Sequence, residues 1–164
     1  GEMAWFYNMM KKRLTPSLLT LKLDPLVEQC LDVATKTATW ENLQAKMKDP
    51  KYQWTVCNAD CHPGNWVWDP KQKRIVLIDF ETVGLMNGLA DVATILVFRS
   101  NPEFRRKHEK QLVTLYYERL LAGGKCTADS YPFEQCWEDY IYEGAARMVY
   151  NLIVVVSFMG NKNT

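Results

Sequence analysis

The spacing of apolar positions divides the chain into a helical first third, a middle stretch with strand-like runs, and a helical second half. Glu2 to Lys12 is dense in good helix formers and aromatics, and Thr15-Pro16-Ser17 breaks it. Asp24-Pro25 supplies a cap residue followed by proline at the first helical position. Leu26, Cys30 and Val33 fall on one face of the helix predicted there. Trp40 to Met47 restarts a helix from Thr39 and ends at Asp49-Pro50. The middle then reads as three short β-type runs, Trp54 to Cys57, Asn65 to Trp68 and Arg74 to Phe80. Turn residues Asp69 to Lys73 make a hairpin of the last two. Helix returns over Asp91 to Phe98. A long helix follows, opened by Asn101-Pro102, with Leu112, Tyr116 and Leu120 on one stripe, and Gly123-Gly124 ends it. Phe133 to Phe158 reads as a final long helix, apolar enough near its end to be largely buried.

These elements predict an α+β class, mainly helical, with a small central β insertion. The 164 residues suit one domain or one sizeable piece of a larger one, with enough chain for a proper core. No repeat or low-complexity tract interrupts them. Composition excludes classes rather than naming one. With 20 Lys+Arg against 19 Asp+Glu, no global pull toward nucleic acid or an anionic membrane is expected. The apolar run Leu152 to Met159 is too short for the ~20 residues that cross a bilayer. Five cysteines without a pairing pattern argue for a reducing, cytoplasmic setting rather than a disulfide framework.

The candidate chemistry sits in the β insertion. Asn58-Ala59-Asp60-Cys61-His62-Pro63-Gly64-Asn65 forms a loop between two strand-like runs, and Leu77-Ile78-Asp79-Phe80-Glu81 closes the third. A hairpin between Asn65 and Asp79 returns the second acid beside the amide. Mg²⁺ is a hard ion that takes one or two protein oxygens and completes its shell with phosphate and water. Asp79 offers an anionic oxygen and Asn65 a neutral one. Asp60, earlier in the loop, is placed to accept or orient a hydroxyl proton. His62 beside Cys57 and Cys61 invites zinc, but no second ligand pair stands at zinc-like spacing, so a loop-packing histidine is the preferred reading. Cys30, Cys126 and Cys136 read as small buried hydrophobes.

Val56 to Ala93 resembles the catalytic segment of the aminoglycoside phosphotransferase and choline kinase superfamily. Its members carry H-G-D-x-H-x-x-N, then I-D-W/F-E, then D-L-A; the matching stretches here are Asn58 to Asn65, Ile78 to Glu81 and Asp91-Val92-Ala93. Asn101 to Glu109, running into Leu115-Tyr116-Tyr117, is similar to the CHK-kinase-like, or ecdysteroid-kinase-like, branch. The resemblance implies a protein-kinase-like C-terminal lobe whose β-hairpin carries the catalytic loop. It makes Asp60 the catalytic base, Asn65 and Asp79 the magnesium ligands, and Asp91 a brace of the loop, with Glu81, Trp137 and Tyr140 lining the site. Asn58 stands where the family has histidine, a supporting position at which asparagine still makes a local hydrogen bond. Mg²⁺ and ATP are the implied cofactors, and a small hydroxylated metabolite, sterol-like compound, amino alcohol or drug the implied acceptor.

No G-x-G-x-x-G loop and no strand lysine precede Asp60. Residues 1–164 are therefore read as a C-terminal lobe without its nucleotide-gripping lobe, binding ATP weakly and incompetent alone. The face around Asn65 and Asp79 is expected to meet the missing lobe, a companion chain or a second copy. The competing reading is a non-catalytic binding or scaffold module derived from a kinase. Trp137, Tyr140 and Tyr142 also suggest an aromatic cage for a quaternary ammonium, against which core packing is the plainer role.

Overall fold

The computed structural model describes residue 12, residues 22–37 and residues 39–159. The helix expected over Glu2 to Lys12 and the break at Thr15-Pro16-Ser17 lie outside the described residues, Lys12 apart. Gln53–Arg147 form one compact unit. The described parts of Gly1–Tyr52 and Met148–Thr164 form another.

In the latter unit, helix α1 spans Pro25–Thr37 and helix α2 spans Trp40–Met47. Both start as their sequences dictate. The Asp24 carboxylate accepts from the Leu26 N–H at 2.8 Å, and the Thr39 hydroxyl accepts from Asn42 N–H at 3.2 Å. The face of α1 differs from the one expected: Leu26 and Val33 are exposed, and Leu31 is fully buried. Leu31 packs with Val156, and Leu23, Val27, Leu152 and Ile153 pack around the pair. The Leu26–Cys30–Val33 stripe and the Val27–Leu31 stripe lie side by side on the helix, and only contact with other segments chooses between them. Val155 is also exposed, so the apolar end of the last helix is less buried than its composition suggests.

The larger unit opens with four short strands. They are β1 (Thr55–Cys57), β2 (Trp66–Asp69), β3 (Arg74–Leu77) and β4 (Gly84–Met86). β2 and β3 form the expected antiparallel hairpin, in the register Trp66 opposite Leu77 and Asp69 opposite Arg74. Its turn is closed by the Asp69 carboxylate, which accepts from the Lys71 and Gln72 N–H groups. β4 was not expected from the sequence. It pairs antiparallel with β1, Val56 opposite Leu85, so the hairpin is nested between two paired strands. This nesting forces the segment leaving β1 to lie beside the segment entering β4. Those two segments are residues 58–65 and 78–83.

The helices supply the core. α3 (Leu89–Ala93) runs into a π-helical turn, Thr94–Phe98. α4 (Pro102–Ala122) is capped by the Asn101 side chain, which accepts from Glu103 N–H at 2.8 Å. It ends at Gly123, with Gly124 at φ 68°. α5 spans Phe133–Met159. Leu89, Ala93, Leu96, Val113, Tyr117, Tyr131, Cys136 and Tyr140 make one buried cluster, with Leu112, Tyr116 and Leu120 against it. The expected stripe of α4 thus faces the core. Gly144 lets α5 approach α3 and the π turn: a Cβ there would sit 3.2 Å from Val97 and 3.8 Å from Ala93. The class is α+β and mainly helical, as expected.

Candidate active site

Asn58 organises the segment that follows β1. It is 5% exposed and each of its polar groups has a partner. Its N–H donates to Asp91 Oδ2 at 2.8 Å, and the next N–H, of Ala59, donates to Asp91 Oδ1 at 3.0 Å. Its side-chain Nδ2 donates to the Asp79 carbonyl at 2.9 Å, while its Oδ1 accepts from Asp60 N–H at 3.1 Å. Its carbonyl accepts from the Thr82 hydroxyl at 3.0 Å. One amide side chain therefore joins the loop carrying Asp60 to the segment carrying Asp79. Asp91, through both of its oxygens, ties the same loop to α3.

The loop is held in an unfavourable backbone. Ala59 and Asp79 have φ of 65° and 61°, a region that costs a non-glycine residue about 1–3 kcal/mol. The two Asp91 bonds hold Ala59 there, and the Asn58 amide holds the Asp79 carbonyl. Non-glycine strain of this sort persists where surrounding structure over-determines it, and it clusters at functional sites. Both strained residues adjoin or carry a candidate acid.

Asn65 is buried, at the end of a 3₁₀ turn (Pro63–Asn65). Its Nδ2 donates to the Asp60 carbonyl at 3.2 Å, which leaves Oδ1 as the free end of the amide. Its own carbonyl accepts from Ile78 N–H at 3.0 Å, continuing the β2–β3 ladder to within one residue of Asp79. Asp79 is exposed, and no hydrogen bond or ion pair engages its carboxylate among the described residues. The two side chains present one neutral and one anionic oxygen. That donor set fits Mg²⁺, which tolerates few protein ligands provided phosphate and water supply the rest. Among the described residues no three His, Cys, Asp or Glu side chains cluster to hold a metal by themselves.

Asp60 has a half-exposed side chain, while its backbone N–H and carbonyl are tied to Asn58 and Asn65. His62 sits beside it: Nε2 lies 3.6 Å from Asp60 Oδ2, and Nδ1 accepts the Gly64 N–H at 3.0 Å. The thiols around the loop are packing groups. Burial pushes Cys57 up to about 12, reinforced by the nearby Asp91 and Glu143 carboxylates and opposed by Arg147. Burial also raises Cys61. Such thiols stay protonated at neutral pH and make poor ligands or nucleophiles.

Asp60, Asn65, Asp79, Asn58, His62 and Asp91 are thus brought together. Glu81 is exposed on the segment between Asp79 and β4. Trp137 and Tyr140 stand in the helical core instead: their rings lie 5.4 Å apart, and the buried Tyr140 hydroxyl donates to Glu109 at 2.9 Å. Burial, then that bond, raises Tyr140 above the usual phenol range. Three supports had no visible signal in the sequence. Thr82 ties its segment to Asn58. Arg147 on α5 donates to the Ala59 carbonyl at 3.2 Å across 88 positions. Asn87 is buried at 2% exposure, accepts from Leu89 N–H, and donates to Asp139 at 2.8 Å. Asp139 also accepts from Tyr131 and Gln135.

The site is thus a strained loop with an exposed acid, cross-tied to a hairpin that ends in an amide and a second acid. The model of the phosphotransferase enzyme family matches residues 7–122, well over half of the chain, and the chain belongs to that family. The match includes every member of the cross-tied loop except Arg147. No curated protein and no solved structure matches the chain. No helix among the described residues is long and apolar enough to cross a membrane.

Proposed function

We propose that the chain is the C-terminal, catalytic and acceptor-binding lobe of an ATP- and Mg²⁺-dependent small-molecule O-phosphotransferase of the CHK-kinase-like branch. The observation that carries this reading is the Asn58 hub. It sets Asp60 and Asp79 on two braced segments with the Asn65 amide between them. Asn65 and Asp79 would hold the metal, which when bound neutralises charge on the phosphoryl group being transferred. Asp60 orients the acceptor hydroxyl and takes its proton. Asp91, Asn58 and Arg147 hold the loop so that this geometry exists before substrate arrives. The acceptor is a hydroxyl on a small metabolite, sterol-like compound, amino alcohol or drug.

The nucleotide-gripping lobe is the partner this reading requires, supplied covalently or in trans, on the face around Asn65 and Asp79. The sheet surface supports it. Val56 and Leu85 form a cross-strand pair 69% and 66% exposed, and the paired Trp68 and Ile75, with Leu77 and Phe80, are exposed as well. Apolar strand faces of this kind mark interaction surfaces. By itself the chain binds ATP weakly, and without the second lobe the same surface would serve a second copy.

The test uses the chain joined to its nucleotide-gripping lobe, with Mg-ATP and a panel of hydroxylated acceptors. Asp60→Asn removes the proton acceptor at constant size, so turnover falls about 10²- to 10⁴-fold while nucleotide affinity holds. Asp79→Asn removes the anionic ligand and weakens Mg-ATP binding together with rate. Full activity in Asp60→Asn removes the catalytic assignment of this loop. Apolar sheet and intact loop without turnover in the wild-type protein would favour the scaffold reading.

A further inference from the structure

We propose that His62 is the positioning residue of Asp60, one ring nitrogen fixing the imidazole to the loop and the other steering the carboxylate. The inference rests on the reading of Asp60 as the proton acceptor, but its geometry is separate from that reading. Nδ1 accepts the Gly64 N–H at 3.0 Å, so Nδ1 carries no proton and the ring proton lies on Nε2. Nε2 is the atom 3.6 Å from Asp60 Oδ2. The tautomer is therefore set by the backbone, and it turns a donor toward the acid.

The ring is held more tightly than the carboxylate. His62 is 28% exposed in its side chain and Asp60 52%. A Cβ on Gly64 would come 2.7 Å from the ring's Cε1 and 2.9 Å from Nδ1, so the Nδ1–Cε1 edge of the imidazole packs against Gly64, and a larger residue there would push the ring away. Pro63 between them begins the 3₁₀ turn with its φ restricted. The Asp60 backbone is tied at both its N–H and its carbonyl, leaving side-chain rotation as the freedom still to be restrained. At 3.6 Å the donor restrains that rotation without a full hydrogen bond. Catalytic contacts are often long before substrate is bound, and tighten afterwards. The Gly64 bond caps the 3₁₀ turn, a structural role that explains the tautomer but leaves the nitrogen facing the acid without a use.

Two amide substitutions separate the two ends of the ring. Asparagine places its Oδ1 where Nδ1 stands, so His62→Asn keeps the bond from Gly64 and loses the donor to Asp60. Glutamine places its Nε2 near the imidazole Nε2, so His62→Gln keeps the donor and loses the loop bond. With the joined two-lobe protein and Mg-ATP, His62→Asn lowers kcat about tenfold with little change in KM or melting temperature. His62→Gln melts lower than His62→Asn yet recovers kcat to about threefold above it, a rescue that fold damage alone cannot produce. A wild-type kcat in His62→Asn overturns the proposal, even where Asp60→Asn is inactive and the catalytic reading stands.

The second arm needs no turnover. The chain has two histidines, His62 and His108, and His108 packs against Phe104 in α4 with tilted rings 4.7 Å apart. In this chain with isotope-labelled histidine, the nitrogen spectrum is expected to show His62 protonated at Nε2. Asp60→Asn should move that resonance and leave His108 in place. An Nδ1 proton on His62, or a His62 signal indifferent to Asp60→Asn, overturns the positioning role whatever the activity shows.

Discussion

Asp91 shows how much of the site one carboxylate holds. Its two oxygens accept from consecutive backbone N–H groups, and the second belongs to Ala59, whose left-handed conformation has no glycine to ease it. A hydrogen bond to a charged group contributes about 1.5–3 kcal/mol, and an N–H left unsatisfied in a buried place costs further. Asp91→Ala is expected to lower stability by about 2–4 kcal/mol, read as a drop in the urea midpoint with unchanged slope. Asp91→Asn keeps one good acceptor and should lose less than that. An unaltered midpoint in Asp91→Ala would mean that Ala59 holds its conformation without the brace.

Among the elements, α3 begins at Gly88 in close contact with β1 and α4. Gly88 opens α3, and a Cβ there would overlap the Tyr116 hydroxyl and approach the Thr55 methyl at 3.1 Å. Overpacking of this kind typically costs 1–3 kcal/mol. Gly88→Ala is therefore expected to destabilise the protein by about 1–3 kcal/mol, and Tyr116→Phe, which removes the clashing oxygen, should return part of that loss. The double-mutant cycle isolates the effect: a coupling near zero would show that the strain lies in the Gly88 backbone instead. Asp91 lies three residues beyond Gly88 on α3, so the same junction sets where its carboxylate meets the loop.

At the scale of the whole molecule, two behaviours follow from what is buried and what is not. Burial raises Cys57 from 9.0 to about 12, Cys136 from 9.0 to about 11 and Tyr116 from 10.0 to about 12. In each case the unfolded chain releases the proton first. The contribution is full below about pH 9 and is lost as pH rises toward about 12, because the folded state holds more protons there. A denaturant midpoint that declines across that window is expected, with a shallower decline in Cys57→Ser, which keeps a donor for the Asn87 carbonyl at a group that does not ionise. A flat profile would mean that the thiols titrate alike in both states. The exposed β1–β4 and β2–β3 surface predicts concentration-dependent self-association of this chain, lost on Val56→Lys and Leu85→Lys. Sedimentation as a monomer at high concentration would count against that surface as an interface.

The element boundaries were legible because they depend on neighbours in sequence. Asp24-Pro25, Thr39 and Asn101-Pro102 cap helices through bonds spanning two or three residues, and Asp69 closes the hairpin in the same local way. The spacing of Asp60, Asn65 and Asp79 was legible too, since a hairpin returns one end beside the other. What the sequence left open was decided by contacts between distant segments. β4 is three residues long and exists because β1 lies beside it. The buried stripe of α1 was chosen by Val156, more than a hundred positions away. Arg147 reaches the Ala59 carbonyl from the far end of the chain, and Asn87 finds Asp139 in the same manner. Buried polar groups must be satisfied, but the partner is whichever group the packing delivers. A one-dimensional pattern records which residues need partners, and tertiary structure alone decides which partners they meet.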